Sequence, residues 1–193
     1  MSAAVVMKRI AETSPRLKAR MAGVFFLLTM LTAAFTELFV RISGRLNFVA
    51  DLAAGVVEIS GMVAVTLLFY AIFKAVNRRL SLLAASVNLV ALTFEAFQSL
   101  NIGLVFGGFY CLLIGYLIFR STFLPRILGA PMAFAGLGWM TFLWPPMADH
   151  LSPYNLAAGI LGEGLVMLWL LVMGVSVQRW KEQASTPHKE NKL

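Results

Sequence analysis

Five acidic residues lie inside long apolar runs of this sequence, and they are its best candidates for chemistry. They are Glu37, Asp51, Glu58, Glu95 and Glu163. A charge at the centre of a bilayer costs about 2.5–3.5 kcal/mol even on insertion scales, so acids in such positions raise a functional hypothesis by default. Carboxyl groups in an apolar setting can bind a proton, a cation or a small polar solute. No lysine or arginine lies within the same runs to neutralise them.

Other site chemistries have little support in the sequence. The two histidines, His150 and His188, lie outside the apolar runs, which argues against bis-histidine haem ligation and histidine-rich zinc sites. The sequence has no Gly-x-Ser-x-Gly, P-loop or dinucleotide fingerprint. The single cysteine, Cys111, is expected to be a small buried side chain. We therefore predict no cofactor and no catalytic residue, leave a metal open, and favour a role other than that of an enzyme.

The composition indicates that lipid surrounds most of the chain. Of its 193 residues, 60% are hydrophobic and only 13% are charged, whereas soluble domains carry about 25% charged residues. So few polar residues cannot cover the surface of a soluble domain of this size. The net charge is +7, but the cations lie at the ends of apolar runs, which argues against a nucleic-acid partner.

Six apolar runs are long enough to cross a membrane, which takes about 20 helical residues. They are residues 21–40, 48–73, 80–97, 101–119, 127–144 and 154–177. The first run is longer than the apolar region of a signal peptide, about 7–15 residues, so we expect it to be retained. The sequence predicts an all-α polytopic membrane protein with six transmembrane helices over residues 21–178. Residues 1–20 form a cytoplasmic N-terminal segment, and residues 179–193 form a cytoplasmic polar tail.

The distribution of cations predicts the orientation. Fourteen lysines and arginines fall on one side of the six runs, and only Arg41 and Arg45 fall on the other. Cations accumulate in cytoplasmic loops, so both termini are predicted to be cytoplasmic. Trp139, Trp144 and Tyr154 then fall near the outer interface, where we expect them to be belt residues rather than a binding box.

This topology places all five acids in the outer half of the bundle. Glu58, Glu95 and Glu163 come from three helices at similar depth. Asn88 lies seven residues before Glu95 and shares its helix face, and Gln98 lies close to that face. The three glutamates, Asn88 and Gln98 form the predicted ligand or cation site, an acidic pocket that opens outward.

A structural role for the acids is the alternative. Glu37 precedes Arg41 by four residues, a spacing typical of helical ion pairs, and Asp51 can pair with Arg45. The three deeper acids can instead be protonated and hydrogen-bonded to Asn88, Gln98 or the backbone, because burial favours a neutral carboxyl group.

A short motif in the fourth run bears on packing rather than chemistry. Gly103-x-x-x-Gly107 fits the close-packing motif of membrane helices. We expect it to mediate packing within the chain rather than a dimer seam.

Several segments resemble the membrane family called domain of unknown function 4386. Residues 119–129 (FRSTFLPRILG) resemble its signature, together with the residues that flank it at 114–118 and 135–139. Residues 75–85 look like its second cytoplasmic loop and third helix, and residues 162–174 look like its last helix. The start of the family is resembled by residues 19–23, so the resemblance covers about 16–180. It implies a fold and a membrane location, mainly in bacteria, but no activity. Family members often carry an arginine at the position of Asn88.

Two functional hypotheses follow. The first is a proton, cation or small-solute binding or transport site in the cytoplasmic (inner) membrane of a bacterium. The second is a non-catalytic scaffold or partner subunit, and a membrane enzyme acting on lipid has less support than either. The bilayer is the expected partner, and a homo-oligomer or a protein partner stays open.

Overall fold

The chain is all-α and carries six helices that can span a membrane. A computed structural model describes residues 14–43, 48–97 and 100–185. Its helices are α1 (Pro15–Ser43), α2 (Phe48–Phe73), α3 (Arg78–Ala96), α4 (Leu100–Arg120), α5 (Gly129–Met140), α6 (Pro145–Leu151), α7 (Tyr154–Val172) and α8 (Val177–Ser185). Helices α1 to α4 and α7 are long and apolar enough to span, and α5 is so together with the 3-10 turns that flank it. The predicted all-α class and the six helices long and apolar enough to cross a membrane are confirmed over the described residues, as expected of an integral membrane protein, and the orientation of the termini stays a prediction.

Helix α1 begins earlier than the hydropathy pattern predicts. Its first residue is Pro15, whose fixed φ suits the first position of a helix. The Ser14 hydroxyl accepts a hydrogen bond from the Leu17 N–H at 3.2 Å, as a helix N-cap does. The first turns of α1 therefore include Lys18, which is only 6% exposed. Part of the predicted N-terminal segment thus belongs to the first spanning helix.

Two boundaries near the last span also differ from the prediction. Helix α7 stops at Val172 rather than at residue 177, because Gly174 adopts φ 67° and its N–H bonds to the Trp169 carbonyl at 3.1 Å. Between spans five and six, where a polar loop is expected, Pro145 and Pro146 begin the short helix α6. Proline lacks an N–H, which a first turn does not need.

The six spanning helices form a closed ring. Each packs against its neighbour in sequence, and α7 also packs against α1. The Arg20 guanidinium donates to the Val172 carbonyl at 3.3 Å across that last seam. The start of α1 and the end of α7 therefore lie side by side at one end of the ring, together with the α2–α3 turn.

Glycines let α4 and α5 approach backbone to backbone. A Cβ at Gly108 would lie 2.8 Å from the Gly136 carbonyl oxygen, and one at Gly115 would lie 3.0 Å from the Gly129 carbonyl oxygen. Both glycine pairs are spaced seven residues apart on each helix, two turns in opposite chain directions. The register of this antiparallel pair is thus fixed where no side chain stands between the helices.

One half of the ring is filled with aromatic side chains. Phe69 has its ring centroid 6.5 Å from that of Phe26 and 5.8 Å from that of Phe73, and Phe73 lies 6.0 Å from Phe123. Helix α8 covers this end, where the Trp180 indole donates to the Ile72 carbonyl at 2.8 Å. We call this half, nearer the α2–α3 turn, the packed half. The other, nearer the α3–α4 turn, is the chamber half.

Candidate functional site

A cavity of about 120 Å³, which we call the chamber, lies inside the chamber half. Residues from all six spanning helices line it, so it sits at the centre of the ring. The side chains with polar groups in its wall are Asn88, Glu95, Tyr110, Cys111, Trp139 and Glu163. The rest of the wall is apolar apart from the backbone at Gly107.

Glu163 in α7 is held by two hydrogen bonds from neighbouring helices. The Trp139 indole N–H donates to its Oε1 at 2.6 Å, and the Cys111 thiol donates to the same oxygen at 3.3 Å. Gly159 lies one turn before Glu163, and the indole ring occupies the space that a side chain there would need. The Glu163 carboxyl group therefore fixes the position of the Trp139 indole at the contact between α5 and α7.

Trp139 is accordingly not the interfacial belt residue that the sequence predicts. Its ring is half-buried and lines the chamber, because its N–H finds an acceptor one helix away. Trp144 and Tyr154 are 65% and 77% exposed, consistent with belt positions.

Glu95 presents the opposite case. It is half-buried near the end of α3, and its side chain packs on α4 where Gly103 leaves room; a Cβ at Gly103 would lie 2.7 Å from its Cγ. Among the described residues, its carboxyl group has neither a hydrogen bond nor an ion pair. Glu58 and Glu163 both lie within electrostatic range of it. Glu95 is thus an acid in a cavity, near other acids and without a counter-ion in the described part of the chain. Gly103 packs within the chain, as predicted for the motif, whereas its second glycine, Gly107, has nothing within 4 Å of its Cβ position.

The structure brings only part of the predicted site together. Glu95, Glu163 and Asn88 line the chamber, whereas Glu58 is half-buried on α2 beside it and is not part of the wall. Gln98 lies outside the described residues. So do Arg45 and the side chains of Glu37, Arg41 and Asp51, with the ion pairs predicted for them.

Asn88 does not bond to an acid as anticipated. Its amide donates to the Thr66 hydroxyl at 2.6 Å, and Thr66 donates in turn to the Met62 carbonyl at 2.7 Å. Tyr110 lies close to Thr66, is 4% exposed, and has a buried hydroxyl with no hydrogen-bond partner in the described ranges. The chamber wall thus contains an unsatisfied polar atom besides Glu95.

Sequence reasoning missed Tyr110 as a site residue and assigned Cys111 to inert packing. The signal for both was their spacing. Residues three and four positions after Gly107 share its helix face, and all three line the chamber. The gap that Gly107 leaves is what makes this face a cavity wall, since nothing lies within 4 Å of the position of its missing Cβ.

The wall chemistry suits a positively charged or proton-donating occupant. Within the residues that the structure describes, the wall offers one carboxyl group without a hydrogen bond and a second whose Oε1 is already bonded, and it includes no lysine, arginine or histidine. Among the described residues, no group of three or more histidine, cysteine, aspartate or glutamate side chains could hold a metal ion.

A family match covers the second part of the chain, which supplies more than half of the residues that line the chamber. Residues 95–174 match the family described as domain of unknown function (DUF4386). The match begins at Glu95 and extends beyond the end of α7 to Gly174, so it contains Tyr110, Trp139 and Glu163. The family resemblance is confirmed over this segment. DUF4386 carries no assigned activity, and the match therefore speaks to kinship and not to chemistry.

One relative is an uncharacterized protein of Archaeoglobus fulgidus. It is 29% identical over 140 residues, which cover 65% of this chain and 82% of the relative. Because that organism is an archaeon, a bacterial source for this chain stays a prediction. No solved structure matches the chain.

Proposed function

We propose that the chamber is a cation-binding site in which Glu95 supplies the charge and Glu163 maintains the wall. The observation that carries this is the Glu95 carboxyl group, which has no hydrogen bond or ion pair among the described residues and lies in a cavity whose described lining residues include no basic side chain. An ionised carboxylate within a membrane is costly, so it favours either a proton or a cation. Glu95 then exchanges a proton for the cation as the site fills.

The site is proposed to open to the outside of the cytoplasmic membrane, with both termini in the cytoplasm. The excess of lysine and arginine at the packed end of the ring supports this orientation. The chamber, at the opposite half, then faces the external solution, and α8 lies on the cytoplasmic surface.

Thermal unfolding of the detergent-purified chain, scanned over salts of different cations, tests the binding function. A ligand that binds only the folded state raises the melting temperature, by about 2.7 kcal/mol of added stability at a concentration 100 times its Kd. We expect a cation-dependent rise that Glu95→Gln abolishes and that the exposed control Asp149→Asn retains. A melting temperature that responds equally in both variants, or in neither, refutes the proposal.

The orientation can be tested separately, because Cys111 is the single cysteine and Cys111→Ser removes it. In that background, Asp149→Cys places a cysteine on α6 at the chamber end, and Lys181→Cys places one on α8 at the packed end; both positions are exposed. Intact cells are treated with a membrane-impermeant methanethiosulfonate, and we expect it to modify the first variant and not the second. The reverse result overturns the proposed topology.

The alternative is a membrane scaffold or partner subunit, and one observation favours it. Glu163 already receives two hydrogen bonds, as a structural acid does. A scaffold predicts a melting temperature that no cation changes, in the wild-type protein and in Glu95→Gln alike.

A further inference from the structure

The polar groups of the chamber wall form a set of acceptors for N–H donors. Glu95 contributes a carboxyl group with no hydrogen bond among the described residues, and Tyr110 contributes a buried, unpartnered hydroxyl oxygen. Asn88 lies in the same wall and is 3% exposed. A buried polar atom without a hydrogen bond is unfavourable, so an occupant that donates to these oxygens supplies the hydrogen bonds that the described residues do not. A primary ammonium group carries three N–H donors and a positive charge.

The remainder of the wall suits a short hydrocarbon. It is built from Phe26, Met62, Leu92, Leu104 and Met132. Hard metal ions such as Ca²⁺ take six to eight oxygen ligands, whereas the oxygen-bearing side chains of this wall are Asn88, Glu95, Tyr110 and Glu163, and one Glu163 oxygen is already bonded. An alkyl group beside the ammonium would bury apolar surface against these residues.

The volume sets the length of that alkyl group. A cavity of 150 Å³ accepts benzene, which has six heavy atoms, so a cavity of about 120 Å³ accepts roughly five. Five heavy atoms correspond to butylammonium, and smaller members of the series leave room for water.

We infer that the chamber binds a small primary alkylammonium ion of up to about five heavy atoms. This inference rests on the proposed cation site and specifies its ligand. The Glu95 carboxylate forms an ion pair with the ammonium group, and the Tyr110 hydroxyl oxygen accepts a hydrogen bond from one of its N–H groups. The alkyl group lies against the methionine and leucine side chains. Glu163 and Trp139 hold the far wall in place.

The experiment is thermal unfolding of the full chain with propylammonium chloride, in phosphate buffer because Tris is itself a primary amine. We expect a saturable rise of several degrees in Tm. Glu95→Gln should abolish it, and Tyr110→Phe should weaken the apparent affinity about tenfold or more, as loss of a partner in a polar site does. Asp149→Asn is the charge control and should keep the full rise.

A second pair of variants tests the location without touching a charge. Gly107→Leu fills the chamber, and the open space around its Cβ position makes the change tolerable to the fold. Gly55→Leu is matched, because Gly55 also has nothing within 4 Å and does not line the chamber. Only the first should abolish the response to propylammonium. If Gly107→Leu does not fold, Gly107→Val gives the same comparison with a smaller side chain.

Four comparison compounds can overturn the inference. A rise with potassium and none with propylammonium leaves the cation site standing but refutes its alkylammonium ligand. An equal rise with propan-1-ol shows that charge is not recognised, and an equal or larger rise with tetramethylammonium shows that N–H donors are not. An equal rise with hexylammonium refutes the size limit. No rise with any compound refutes both the ligand and the proposed function.

Discussion

The packed half and the chamber half are built from the same six helices, yet they treat interior space in opposite ways. In the packed half, four phenylalanines from α1, α2 and the α4–α5 connection pack ring to ring, with α8 covering the end. In the chamber half, a cavity of about 120 Å³ is lined by two acids and by a tyrosine hydroxyl that has no hydrogen bond within the described part of the chain. Since the ring closes equally well around both, the fold does not require the cavity.

Neighbouring residues on α4 sharpen this contrast. Gly108 lies against the backbone of α5, where a Cβ would come 2.8 Å from a carbonyl oxygen. Gly107 has nothing within 4 Å of the same position. The first glycine is required for packing, whereas the second leaves space that a larger side chain could fill. By having no side chain, Gly107 preserves part of the volume of the chamber, as a binding site requires.

Truncation should separate the two halves most strongly. Phe69→Ala removes a ring that touches two others in the packed half and should lower the free energy of unfolding by about 3–5 kcal/mol. Leu104→Ala enlarges a cavity that already exists and should cost less than about 2 kcal/mol. Denaturation of the purified variants measures both, and equal losses would contradict the distinction between the halves.

The adjacent glycines should respond with opposite signs. Gly108→Ala forces apart the α4 and α5 backbones and should destabilise the protein by about 1–3 kcal/mol, the usual cost of overpacking. Gly107→Ala meets no atom and should stabilise it by roughly 0.5–1 kcal/mol, because alanine favours the helix. Side-by-side thermal unfolding decides, and a destabilising Gly107→Ala would mean that the cavity is closed in solution.

The bond between Trp139 and Glu163 should carry measurable coupling. Trp139→Phe and Glu163→Gln are combined in a double-mutant cycle, and we expect an interaction free energy of about 1–2 kcal/mol, within the range for residues in contact. Glu95→Gln paired with Trp139→Phe is the control cycle and should be additive within about 0.5 kcal/mol. Equal interaction free energies in the two cycles would contradict the assignment of the structural role to Glu163 and of the ligand-binding role to Glu95.

Glu95 should show the smallest effect on stability. Glu95→Gln removes an acid that has no partner in the described ranges and should leave the protein unchanged or stabilise it by up to about 1 kcal/mol. Loss of stability in ligand-free buffer would indicate that this carboxyl group has a structural role, contrary to the proposed function.

Hydropathy alone predicted the spanning helices, because lipid forces a backbone to satisfy its hydrogen bonds within the helix. It misplaced the ends that local chemistry sets, namely the Ser14-Pro15 start of α1 and the Gly174 stop of α7. It also could not foresee α6, since a pair of prolines is compatible with a loop as well as with a first turn.

The site was only partly predictable for a related reason. An acid within an apolar run stands out because placing its charge in a membrane is unfavourable, and Glu95 and Glu163 were identified as site candidates for that reason. Their different roles depend on contacts between helices, which no spacing along one helix encodes. The hydrogen bond from Trp139 to Glu163 joins residues 24 positions apart in the sequence. The chamber wall at Gly107 depends on the absence of atoms around its Cβ position, which the sequence does not reveal.

The contact between α1 and α7 has a consequence for how the protein is made. The face of α1 that carries Ala19, Ala22 and Phe26 is fully covered only when the ring is closed. Because α7 is synthesised more than a hundred residues after this face of α1, we expect the face to remain against lipid or an insertion chaperone until synthesis has passed residue 172.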